Sequence, residues 1–77
     1  MARIVSNEFN LRSKERNSIH EQTKATYSIF CVGNEKYIQI DTYGSPDREV
    51  KGIVSQSIQF DKKSALLLID IINKEFN

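Results

Sequence analysis

The sequence predicts an α+β domain: a four-stranded antiparallel sheet followed by one C-terminal helix, in the order β-β-β-β-α. Three observations lead to this fold class. Residues 61–76 contain no Gly or Pro and carry apolar residues at helical spacing. Upstream runs of β-forming residues are separated by turn residues. A length of 77 residues suits one domain, covering residues 1–77.

The first strand is predicted over residues 3–11, where Val5, Phe9 and Leu11 can share one face. Residues 12–25 come next as a long, polar and mildly basic loop. Ile19 is the only large apolar residue there, so a helix would have no face to bury. A solvated connection is the simplest interpretation, although long loops in small domains are often functional.

A β-hairpin is predicted over residues 26–43. Its strands, residues 26–32 and 36–43, flank Gly33-Asn34, two residues that tolerate the backbone angles of tight turns. In the second strand Ile38 and Ile40 face one way. The polar and aromatic side chains of that strand face the other way: Tyr37, Gln39, Asp41 and Tyr43.

The last strand is predicted over residues 53–60, and it leads directly into a helix over residues 61–76 with Asp61 as its N-cap. One helical face, expected to lie on the sheet, comprises Ala65, Leu68, Ile69, Ile72 and Phe76. Leu67 and Ile71 widen this apolar arc to one side. So wide an arc predicts a homodimer formed through the helix, with Leu67 and Ile71 at its interface. The alternative is a helix buried within a monomer.

Composition excludes few functions but constrains several. Net charge is +1, so a nucleic-acid site would need its basic groups gathered on one surface. Cys31 is the single cysteine, which rules out an intrachain disulfide framework and fits a reducing, cytoplasmic setting. No segment of the sequence suggests a membrane span or a signal peptide.

Candidate catalytic groups are sparse. His20 lies alone in a polar loop, and Cys31 lies in a β-rich run, where a small apolar role is the usual one. Residues 46–51 read PDREVK, similar to the Pro-Asp … Asp/Glu-x-Lys signature of a nuclease superfamily. Those side chains normally converge from separate strands, whereas here they are six consecutive residues. We therefore expect no enzymatic activity, no metal site and no cofactor.

The chain from the hairpin onward resembles a known family. The matching segments, within residues 27–76, are KYIQIDTY at 36–43, SPDRE at 45–49, KGI at 51–53 and SIQF at 57–60. They resemble the single-stranded-DNA-binding domain of the positive cofactor four family of transcriptional coactivators (p15), especially its bacterial and phage relatives. Thr42 and Tyr43 stand where that family tends to have Arg and Trp. The resemblance implies a β-β-β-β-α chain whose helix pairs with that of a second copy.

Single-stranded nucleic-acid sites combine aromatic side chains for base stacking with Lys or Arg along the phosphates. Tyr37 and Tyr43 are the candidate stacking residues, and cross-strand packing is the alternative role for both. The candidate phosphate contacts are basic residues of the loop and of the strand flanks: Arg12, Lys14, Arg16, Lys24, Lys36, Arg48 and Lys51.

Two functions are consistent with the sequence. The first is a non-enzymatic, dimeric module that binds single-stranded DNA, or RNA, as a transcription or replication accessory factor. The second is a protein-interaction or assembly module that binds a partner through its sheet edge or its C-terminal helix.

Overall fold

The computed structural model describes residues 1–13, 16–44 and 52–77. Within them one helix comes after four strands in sequence, which confirms the α+β class. The strands are β1 (Ala2–Ile4), β2 (Ala25–Val32), β3 (Glu35–Thr42) and β4 (Gln56–Phe60), and the helix is α1 (Lys62–Phe76). A short 3₁₀ turn, Ser6–Glu8, lies after β1 and contacts α1.

The sheet is mixed, so the prediction of a fully antiparallel sheet was wrong. Its strand order is β1-β4-β3-β2. β2, β3 and β4 pair antiparallel, whereas β1 runs parallel to β4, with Ala2 opposite Ile58 and Ile4 opposite Phe60. The physical reason is the long connection after β1. β1 and β2 lie at opposite edges of the sheet, so the chain between them, residues 5–24, has to cross from one edge to the other. A tight turn would instead have made β1 and β2 antiparallel neighbours.

The first strand is also much shorter than predicted. β1 ends at Ile4, and the backbone then turns at Ser6–Glu8, where the N–H of Glu8 donates to the carbonyl of Val5 at 3.1 Å. Leu11, expected to share a strand face with Val5 and Phe9, is fully exposed, whereas those two side chains are half-buried. The described residues of the polar loop, 12–13 and 16–24, are exposed and belong to neither helix nor strand, as predicted.

The hairpin formed by β2 and β3 confirms the sequence prediction closely. Val32 is opposite Glu35, so Gly33 and Asn34 form a two-residue turn. Gly33 has a φ of 60°, and no non-glycine residue among those described has a positive φ. A positive φ at the first central residue alone is the pattern of a type II′ turn. Gly33 therefore fixes the register of the whole hairpin.

Helix α1 begins at a capping box. The N–H of Ser64 donates to the carboxylate of Asp61 at 2.9 Å, and the N–H of Asp61 donates to the Ser64 hydroxyl at 3.1 Å. These reciprocal bonds satisfy donors that the first helical turn leaves free. The predicted N-cap is confirmed. In the described part of the chain, no helix is long and apolar enough to cross a bilayer.

The core is small and lies where α1 packs on β3 and β4. Phe60 is the one hydrophobic side chain that is buried in the described residues, and Ser64, four residues further along the chain, is fully buried. Three residues expected to lie on the sheet are exposed instead: Ile69 by 50%, Ile72 by 43% and Phe76 by 83%. The helix therefore contacts the sheet mainly through its N-terminal half.

Candidate nucleic-acid interface

The strand register gives the sheet two chemically different faces. Alternate residues of a strand point to opposite faces, and residues paired across strands share one. The polar face carries Arg3, Thr26, Ser28, Phe30, Tyr37, Gln39, Asp41, Ser57 and Gln59, with Val32 and Glu35 at the turn, and Tyr43 continues it just beyond β3. The apolar face carries Ala2, Ile4, Tyr27, Ile29, Ile38, Ile40, Ile58 and Phe60, and at its ends also Ala25, Cys31, Lys36, Thr42 and Gln56.

A ladder of side-chain hydrogen bonds crosses the middle of the polar face. Gln59 Nε2 donates to Gln39 Oε1 at 2.8 Å, and Gln39 Nε2 donates to Asp41 Oδ1 at 2.9 Å and to Ser57 Oγ at 3.2 Å. The Ser57 hydroxyl also donates to the Asp41 carboxylate. Each of these four side chains therefore has a hydrogen-bond partner on its own face of the sheet.

Aromatic rings lie at the turn end of the polar face. Phe30 stacks on Tyr37 with ring centroids 5.4 Å apart and planes inclined by 22°. The cross-strand packing considered for Tyr37 is therefore present. Phe30 did not enter the predicted site, but the two-residue turn at Gly33-Asn34 implies its pairing with Tyr37, and counting residues back from the turn finds it.

Tyr43 lies at the other end of the same face, next to a basic group. Its hydroxyl is hydrogen-bonded to the Thr26 hydroxyl at 2.9 Å, and the Lys24 ammonium lies 5.5 Å from the centroid of its ring. The backbone also joins these residues, since the N–H of Tyr43 donates to the carbonyl of Lys24. This is the point where the structure brings a predicted aromatic residue and a predicted basic residue together.

The other predicted basic residues are more scattered. Arg12 and Arg16 are exposed in the polar loop. Lys36 is adjacent to Tyr37 but alternates with it, so its side chain lies on the opposite face of β3. Arg3, which the sequence did not single out, lies on the polar face opposite Gln59 and forms an ion pair with Asp61 at 3.3 Å. Lys14, Arg48 and Lys51 lie outside the described residues, as do Asp47 and Glu49 of the nuclease-like segment.

The apolar face is largely open. Tyr27 and Ile29 on β2 are 73% and 60% exposed, and Ile40 and Ile58 are also exposed. A groove with apolar lining separates α1 from β2, and Ile29, Phe60 and Leu66 contribute to its walls. On α1, Leu67 is half-buried and Ile71 is exposed.

The local contacts of Asp61 shift the pKa of its carboxyl group. Hydrogen bonds from the backbone N–H and then the hydroxyl of Ser64, with a smaller contribution from Arg3, hold the pKa of Asp61 below its ordinary value. Among the described residues no three His, Cys, Asp or Glu side chains lie together as a metal ion would require.

Comparison with known proteins adds no family assignment: no family model matches the chain, and no curated protein or solved structure does so either. A function for this chain must therefore be inferred from its fold and from the two faces of its sheet.

Proposed function

We propose that the chain is a non-enzymatic protein that binds single-stranded nucleic acid, DNA in the first instance, on the polar face of its sheet, and that it acts as a homodimer. The observation that carries the proposal is the cluster at Tyr43, where the Lys24 ammonium lies 5.5 Å from the centroid of an aromatic ring on the polar face. One base stacked on the ring would bring its phosphate within reach of the lysine.

The remainder of the polar face fits an extended polymer. Its aromatic sites, Tyr43 and the Phe30–Tyr37 pair, lie at the two ends of the face, about six strand residues or roughly 20 Å apart. Between them the amides of Gln39 and Gln59 present a hydrogen-bonded surface with Arg3 at its border. The polar loop adds Arg12 and Arg16 as exposed cations. The resemblance of residues 27–76 to the positive cofactor four family supports the same assignment.

Dimerisation is inferred from what one chain leaves uncovered. Four side chains of the apolar face remain open to solvent: Tyr27 is 73%, Ile29 60%, Ile58 40% and Ile40 37% exposed. Four strands span about 14 Å between the outer strand axes, and one helix is about 10 Å wide, so α1 cannot cover the apolar face alone. We propose that a second copy contributes its helix, through an interface that includes Leu67 and Ile71.

The proposal is tested by fluorescence anisotropy with a labelled single strand and with the matching duplex, over a range of salt concentrations. Tyr43→Ala should weaken single-strand binding by about 1–3 kcal/mol with little change in salt dependence, because it removes a stacking platform. Lys24→Ala should reduce the slope of log K against log salt by about 0.7, the value for one phosphate contact on a single strand.

Lys74→Ala is the matched control, since Lys74 lies in the last turn of α1, away from the polar face. It should leave affinity and slope unchanged, and the DNA should stay intact with magnesium present. Equal affinity for duplex and single strand, or no binding at low salt, would contradict the proposal and favour a protein-interaction module.

A further inference from the structure

Strand β2 forms an unprotected edge of the sheet. It is last in the strand order and pairs on one side, with β3, in the part of the chain that the structure describes. Proteins usually protect such an edge with charged residues, proline, a bulge or a very short strand. β2 has eight residues, ATYSIFCV, with no charge, no proline and continuous pairing to β3. Its outer side is a template for another strand.

The hydrogen-bonding pattern identifies the backbone groups that point outward. The N–H of Tyr43 donates to the carbonyl of Lys24, so this pair is hydrogen-bonded across β2 and β3. Bonded and non-bonded pairs alternate along an antiparallel ladder. The even-numbered residues of β2 therefore bond inward to β3, and the odd-numbered ones, from Ala25 to Cys31, direct their N–H and C=O groups outward.

We propose that β2 pairs antiparallel with β2 of a second copy about a two-fold axis at Ser28, joining the two sheets into one. This register places Tyr27 opposite Ile29 of the other copy, and Ala25 opposite Cys31. It uses all four outward-facing residues of each strand, giving eight backbone hydrogen bonds by the alternation rule. A shift to a centre at Tyr27 or Ile29 would leave one end of each strand unpaired.

The occupant is a second copy because the strand is complementary to itself. The two most exposed apolar side chains on β2, apart from Val32 at its end, are Tyr27 and Ile29. The two-fold axis at Ser28 puts these two opposite each other twice, as aromatic and β-branched cross-strand pairs that stabilise sheets. The apolar faces of both copies become continuous, and so do their polar faces.

This interface is separate from the proposed helix interface. Helix α1 contacts β3 and β4, so in the joined sheet the two β2 strands lie between the helices and leave Leu67 and Ile71 free. Pairing of the two β2 strands does not depend on nucleic-acid binding, and its test uses none.

Disulfide trapping tests both the interface and its register. In a Cys31→Ser background, Ser28→Cys places two thiols at a non-hydrogen-bonded pair, where Cα atoms lie about 4.5 Å apart, within the range of a disulfide. Ser28 is exposed, so the substitution is compatible with the fold. We expect most of this variant to run as a covalent dimer on a non-reducing gel after mild oxidation.

Two controls make the register specific. Thr26→Cys in the same background lies on the same face of β2, but its two copies would be four residues apart along the paired strands, about 14 Å. The unmodified Cys31 thiols would be farther apart, at about 20 Å. Both chains should stay monomeric on the gel. If Ser28→Cys forms no more covalent dimer than Thr26→Cys, while circular dichroism shows the sheet intact, the inference is wrong.

Discussion

The two faces of the sheet differ in how far the contacts within one chain satisfy their side chains. On the polar face, Gln39, Asp41, Ser57 and Gln59 bond to one another, and Ser57 is buried although no helix covers it. On the apolar face, α1 buries Phe60 and leaves Tyr27 and Ile29 mostly exposed. The polar groups of the polar face are thus hydrogen-bonded within one chain, whereas much of the apolar face is left open to solvent.

This difference teaches where the stability of one chain resides. Small domains bury a modest fraction of their surface and are marginally stable on their own. Here the hydrophobic contribution comes mainly from the junction of β4 and α1, around Phe60. Association should therefore contribute a large share of the stability, and that share should depend on protein concentration.

The largest expected loss of stability comes from a substitution in the part of the apolar face that α1 covers. Phe60→Ala should lower the free energy of unfolding by about 3–5 kcal/mol, because it removes a buried aromatic ring and leaves a cavity. Urea denaturation followed by circular dichroism would measure this loss. A change below about 1 kcal/mol, far under the range for a buried aromatic, would show that Phe60 is not the centre of the core.

Ile58→Ala sharpens the same comparison, since Ile58 is on the same strand and face but is exposed in one chain. If a second copy covers this region, the loss of stability caused by Ile58→Ala should be small at low protein concentration. The loss should grow as the concentration rises. An effect independent of concentration would argue against a cover supplied by self-association.

A smaller effect is expected at the junction of sheet and helix. Asp61→Ala should destabilise the chain, because it removes the N-cap acceptor for the N–H of Ser64; replacing an N-cap by Ala generally costs about 0.5–2 kcal/mol. Asp61→Asn keeps an acceptor oxygen and should cost less. Thermal unfolding at neutral pH distinguishes the two variants, and equal melting temperatures for both and for the unmodified chain would contradict the capping role.

The same carboxylate predicts a pH dependence with a definite sign. The pKa of Asp61 is lowered in the folded chain, so its stabilising contribution is present above the unfolded pKa of about 3.9. That contribution is lost as pH falls through the folded pKa. The difference in stability between the unmodified chain and Asp61→Asn should therefore shrink below about pH 4. A difference that grows with acid would contradict the assignment.

Local signals predicted much of this fold. The Asp61 cap, the uninterrupted helix and the Gly33-Asn34 turn each depend on residues close in sequence, and all three are confirmed. The direction of β1, by contrast, depends on pairing with a strand that is distant in sequence. Alternation in residues 3–11 indicates a strand but carries no information about its neighbour, so pairing with β4 could not be deduced from it.

For the candidate site, the sequence predicted which strand face its tyrosines share but not which residues approach them. Tyr37 and Tyr43 fall on the polar face as their alternation indicates, whereas Lys36 alternates to the other side. The proximity of Lys24 to Tyr43 depends on the register across the hairpin, which spacing alone did not show. The extent of helix coverage depends on the angle at which α1 leaves β4, and periodicity in α1 does not determine that angle.

Sedimentation equilibrium of the unmodified chain tests the central claim, that a second copy completes the apolar face, most directly. We predict a mass of at least twice the 8.9 kDa of one chain at micromolar concentration. Ile71→Lys, at an exposed position on α1, should shift the equilibrium toward smaller species. A folded chain that sediments at 8.9 kDa up to the highest concentration reached would contradict the claim.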